Sequence, residues 1–91
     1  MMYSAGDCPV CSNSGALLFV MGAAGGRVLT YCPACGCAWK HPSDAELPRD
    51  AGGLDSFGLR RVRAATRAEI DAAGLGGLVV AQHGDDDFDL P

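Results

Sequence analysis

Four cysteines fall in two C-x-x-C steps, Cys8-Pro9-Val10-Cys11 and Cys32-Pro33-Ala34-Cys35, with twenty residues between the pairs. Two residues between cysteines let both sulfurs of a tight turn face one ion. Two such turns fill the four corners of the tetrahedron that Zn²⁺ takes. The expected ligands are Cys8, Cys11, Cys32 and Cys35, holding one structural Zn²⁺ per chain. Four thiolates close the coordination sphere and leave no position for water or substrate, so such a site stabilises the fold and does not catalyse. A fifth cysteine, Cys37, lies two residues beyond Cys35 on what reads as the same strand face. It is an alternative ligand, and otherwise a small residue packing behind the site. His41 is the other nearby donor. It reads as a surface residue because the cysteines already fill the sphere.

The elements that must position these sulfurs are short. Ser12-Asn13-Ser14-Gly15 is turn material. Leu17-Leu18-Phe19-Val20-Met21 and Arg27-Val28-Leu29-Thr30-Tyr31 read as two strands, joined by the flexible Gly22-Ala23-Ala24-Gly25-Gly26. Cys37-Ala38-Trp39-Lys40 reads as a third strand leaving the second cysteine turn. Residues 8–41 thereby resemble the zinc-ribbon fold group, with its CPxCG knuckle spelled out from Cys32 to Gly36. Glycine after the second cysteine takes the sharp turn cheaply. The first pair departs from the pattern, with Ser12 where glycine often stands. The resemblance implies an antiparallel hairpin plus a third strand. It implies no single function.

Beyond the ribbon, residues 42–58 carry Pro42, Pro48, Gly52, Gly53 and Gly58, and read as a linker or a loop draped over it. Residues 59–82 read as a strand–helix–strand segment packing on the ribbon. Leu59-Arg60-Arg61-Val62-Arg63-Ala64 alternates like an edge strand. Thr66-Arg67-Ala68-Glu69 is a capping box opening a short helix that Gly74 would stop. Leu78-Val79-Val80-Ala81 reads as the last strand. Residues 83–91 read as a mobile acidic tail. The expected architecture is thus a small α+β metal-stapled domain: a zinc ribbon over residues 1–41, a linker, and the C-terminal segment.

Composition bounds the function. The chain has 91 residues, 48% hydrophobic, but with 13 Gly, three Phe, two Tyr and one Trp. Such a small core usually needs a staple. Zinc can supply an apparent ~10–16 kcal/mol of folding free energy, so metal removal is expected to unfold at least the N-terminal half. The formal charge is −4, and four thiolates around one Zn²⁺ add about −2. Phosphate backbones repel such a chain. A basic protein partner suits it better. Neither a transmembrane run nor a signal peptide is evident, and paired cysteines without these point to a cytoplasmic metal site rather than secreted disulfides.

Catalysis finds no support: two histidines, no nucleophile motif, and His83 with no obvious partner. The reading that follows is a non-enzymatic protein that binds another protein, in its most concrete form an inhibitor or immunity-type protein occluding a basic, nucleic-acid-acting partner. Asp85, Asp86, Asp87 and Asp89 would steer that partner, with Phe88 and Leu90 as anchors. The alternative is a nucleic-acid-associated ribbon of transcription or translation machinery, using Arg27, Lys40 and the Arg60, Arg61, Arg63, Arg67 cluster. The bland reading of that cluster is a solvated face balanced by acids. A third reading is a rubredoxin-like electron carrier, since rubredoxins use the same two turns. The chain lacks their first-turn glycine and their aromatic shell.

Overall fold

The structure is a computed structural model that describes residues 1–7, 16–22, 26–34, 36–39, 54, 58–59 and 61–84. Its central element is β2, Ala16–Gly22, all seven residues of which are buried. A strand buried on both faces reads as a continuous apolar run rather than an alternating one, and Ala-Leu-Leu-Phe-Val-Met does so. One edge of β2 pairs with β3, Leu29–Tyr31, with Phe19 opposite Thr30. Its other edge is shared. β1, Met2–Asp7, takes the first half, with Ser4 opposite Leu18 and Asp7 opposite Ala16. β5, Val62–Ala64, takes the second, with Val20 opposite Ala64 and Gly22 opposite Val62. β4, Ala38–Trp39, lies beyond β3, and β6, Ala81–His83, lies beyond β1. Every pairing is antiparallel, in the order β4-β3-β2-β1-β6 with β5 beside β2. The fold is a small α+β arrangement dominated by this sheet.

β1 had no signature in the sequence. It carries one extra residue between Ser4 and Asp7, where the register to β2 slips. Gly6 stands in that bulge at φ +111°, a conformation that only glycine takes without strain.

Side chains alternate across the sheet. Leu18 and Val20 share one face with Met2, Leu29, Tyr31 and Val62, and Leu54 and Leu59 pack against it. The linker region therefore contributes Leu54 to the core, and the segment after it contributes Leu59. Phe19 and Met21 point to the other face, where Ala65, Ile70 and Leu75 cover them. At the far end of that second face, Leu17 packs with Cys32 and Trp39.

The covering helix is α1, Arg67–Ala72. The Glu69 N–H donates to Thr66 Oγ1 at 3.2 Å, and the Thr66 N–H donates to Glu69 Oε1 at 2.9 Å, a complete capping box. Its end is a Schellman turn. Gly74 stands at φ +78°, the Leu75 N–H donates to the Ile70 carbonyl at 3.0 Å, and the Gly74 N–H to the Asp71 carbonyl at 3.0 Å. Ile70 and Leu75, the residues bracketing that turn, meet in the core.

The expected last strand over residues 78–81 is displaced. Gly76–Leu78 form a 3-10 turn instead, because the helix exit buries Leu75 and the two glycines bend tightly behind it. Pairing with β1 starts only at the Val80 N–H, which donates to the Ser4 carbonyl at 2.9 Å. The strand is then Ala81–His83. Among the described residues of the expected 59–64 strand, Val62–Ala64 are the regular ones. Among the described residues, no helix is long and apolar enough to cross a membrane.

Candidate metal centre at the second cysteine turn

β3 delivers the chain into the second cysteine turn and β4 carries it away. The turn is closed by two backbone hydrogen bonds. The Cys32 N–H donates to the Cys37 carbonyl at 2.9 Å, and the Gly36 N–H donates to the Cys32 carbonyl at 2.8 Å. Gly36 sits at φ +76°, so a Cβ there would strain the backbone. The CPxCG glycine therefore takes the sharp turn expected of it. Cys32 is 0% exposed and packs against Leu17 and Trp39, with Cys37 half-buried beside them. Neither cysteine is in a disulfide.

Burial has a chemical consequence. A thiol in such a place packs as a small apolar group. A thiolate there needs a cation or directed N–H donors, because water cannot reach it. One unexplained atom lies in the same cluster. Trp39 is 2% exposed, and its indole Nε1 has no hydrogen-bond partner among the described residues. The other fully buried polar side chains are satisfied: Thr30 Oγ1 donates to the Trp39 carbonyl at 3.2 Å, and Ser4 Oγ lies 3.1 Å from His83 Nε2. That last contact corrects the expectation that His83 lacks a partner. It joins β6 to β1 as a partly buried contact at the edge of the sheet. Trp39 was read in the sequence only as part of a strand.

Of the expected ligands, Cys8, Cys11 and Cys35 lie outside the described residues, as do His41, Lys40, Arg60 and the 85–90 segment with Asp85, Asp86, Asp87, Phe88, Asp89 and Leu90. Among the described residues, no three His, Cys, Asp or Glu side chains come together as a metal-binding group. The described residues hold one of the four expected ligands, Cys32, buried in a turn that Gly36 closes, with Trp39 packed beside it.

The described arginines divide into engaged and open. Arg63 makes a two-pronged ion pair with Glu69, at 2.7 and 2.6 Å, and Arg67 Nε reaches Asp71 at 3.2 Å. Hydrogen bonds from Arg63, then from the Thr66 backbone, hold the Glu69 carboxyl at a pKa of about 2 against an ordinary 4.5. Arg61 and Arg27 are exposed. Arg27 stands at the rim of an open cleft of about 490 Å³, floored by Met21, Val28, Ala72 and Leu75. Its other charged lining group is Glu69, already paired with Arg63. An apolar floor beside one arginine and one paired carboxylate suits the binding of an apolar group.

No family model, no curated protein and no solved structure matches this chain.

Proposed function

We propose that this chain is a zinc-ribbon protein of structural, non-catalytic metal content that acts by binding another protein. Cys8, Cys11, Cys32 and Cys35 hold one Zn²⁺, which ties the two C-x-x-C steps together. The observation that carries the metal reading is the second turn: Cys32 wholly buried, with Gly36 in the left-handed region closing the knuckle back onto the Cys32 carbonyl. The partner is a basic protein, in the sharpest form a nucleic-acid-acting enzyme that this chain occludes as an inhibitor or immunity-type protein. A formal charge of −4 and the acidic run Asp85-Asp86-Asp87-Phe88-Asp89 support that sign of partner. Pairing of Arg63 and Arg67 with Glu69 and Asp71 leaves less basic surface for phosphates than the sequence suggested.

Native mass spectrometry of the protein purified from its own host tests both halves. One zinc per chain and a stoichiometric basic protein released by high salt is the expected result. Iron in the site overturns the structural-zinc reading, and bound nucleic acid in place of protein overturns the partner reading.

A further inference from the structure

We propose that Cys37, the fifth cysteine, forms a reversible disulfide with Cys32 across the hairpin of β3 and β4. The reaction is thiol–disulfide exchange with a low-molecular-weight disulfide of the glutathione type. It stands without the metal, since Cys32 and Cys37 both lie among the described residues and no other ligand enters it.

The first ground is register. Thr30 faces Trp39 and Tyr31 faces Ala38 across β3 and β4. The next pair in that register is Cys32 and Cys37, and the Cys32 N–H donates to the Cys37 carbonyl at 2.9 Å. Opposite residues of a hydrogen-bonded antiparallel pair have Cα atoms about 5.5 Å apart. A disulfide spans Cα separations of about 4.4–6.8 Å. The turn between the two cysteines is already closed by the Gly36 N–H on the Cys32 carbonyl, so little backbone freedom is left to lose when the sulfurs join.

The second ground is the shared face. Opposite residues of a ladder project their side chains to the same side of the sheet, and so do residues two apart on one strand. Cys32, Cys37 and Trp39 should therefore lie together. They do, in one cluster with Leu17.

The third ground is unequal access. Cys32 is 0% exposed and Cys37 is half-buried. Exchange runs through a mixed disulfide, so it needs one sulfur that a small disulfide can reach. The Cys37 sulfur attacks one sulfur of the small disulfide, whose S–S bond breaks and releases one small thiol. The Cys32 sulfur then attacks the Cys37 sulfur and displaces the second small thiol. Two protons and two electrons leave the protein on those two thiols. Burial keeps a further small disulfide from capping Cys32 before the ring closes. The product ties β4 covalently to the sheet. Under the zinc reading it also withdraws Cys32 from the metal, so oxidation and zinc binding exclude one another.

The test treats the full chain with oxidised glutathione, with zinc content measured beforehand. The reaction is quenched in acid and the remaining thiols are blocked with a maleimide. Trypsin then releases Val28 to Lys40 as one peptide holding Cys32, Cys35 and Cys37. One disulfide within it leaves one thiol, so the blocked position names the pair. The expected result is maleimide on Cys35 alone. Maleimide on Cys37 or on Cys32 alone overturns the proposal, as does a lasting glutathione adduct on Cys37 or the absence of any disulfide. Cys35→Ser is expected to form the same bond at a rate within about twofold, and Cys37→Ser to lose its Cys32 thiol at least about tenfold more slowly. An unchanged rate in Cys37→Ser overturns the proposal. A chain that starts without zinc and still joins Cys32 to Cys37 removes the metal reading and leaves this one standing. A zinc-loaded chain that never joins them does the reverse.

Discussion

At the scale of single residues, the cysteine turn depends on one backbone conformation. Gly36 sits at φ +76°, and a Cβ built there meets nothing within 4 Å. Space is therefore available, and the cost of a side chain is the left-handed conformation itself. Gly36→Ala is expected to destabilise the zinc-loaded protein by about 1–2 kcal/mol, and Gly36→Asn by less, since asparagine tolerates that region. Urea unfolding of the three proteins with zinc present checks this. Equal losses for alanine and asparagine would mean that the turn fails for some reason other than its backbone angle. The bend at Gly36 was legible because the CPxCG pattern encodes a local backbone geometry within five residues. Trp39 was not legible, because an orphaned N–H is a fact about what surrounds an atom.

At the scale of elements, α1 is six residues long and too short to persist alone. It is held by its two ends and by Ile70, which is fully buried. The N-terminal end is also where the helix meets β5: Arg63 on the strand grips Glu69, whose carboxylate also accepts from the Thr66 N–H. Glu69 thus has a folded pKa of about 2 against 4.5. The folded state binds that proton more weakly than the unfolded chain, so the contribution is complete above about 4.5 and is lost as pH falls towards about 2. Glu69→Gln is expected to lower the urea midpoint at pH 7, and the gap to the unmutated protein should narrow as pH drops through that window. Protonation of the cysteines acts on both proteins and cancels in the difference. A gap that stays constant with pH would remove Glu69 from the acid response. Thr66-x-x-Glu69 and Gly74 were readable because caps act within four residues. β1 was not. Met-Tyr-Ser-Ala-Gly-Asp has no apolar alternation, since Met2 and Tyr3 both face packed layers and Ser4 is buried through its contact with His83. Its strand is made by β2 and β6. The Leu-Val-Val run misled for the converse reason: strand-forming side chains were overridden by the glycine turn before them.

At the scale of the whole molecule, the ribbon-like part is not separable from the rest. Among the described residues, 8–41 hold β2, β3 and β4, whereas β2 shares one edge between β1 and β5. In a fragment of residues 8–41, Leu18 and Val20 lose Met2, Val62, Leu54 and Leu59, while Phe19 loses Ala65, Ile70 and Leu75. Those three β2 side chains are 0% exposed in the intact chain. Burying each is worth about 1.5–3 kcal/mol, so exposing all three forfeits up to about 9 kcal/mol, comparable with the whole stability of a small domain. Zinc binding can offset that in the turns it ligates. It cannot replace the two layers missing from β2. The fragment is therefore expected to bind zinc through its cysteines yet leave Leu17–Met21 unfolded, with amide signals dispersed near the cysteines alone and fast hydrogen exchange along β2. The full chain with zinc should protect β2 strongly, since opening it means opening every layer at once. A fragment with dispersed, slowly exchanging β2 amides would show that metal and hairpin alone make an autonomous ribbon. The β1, β5 and α1 contacts would then be additions to a unit already complete.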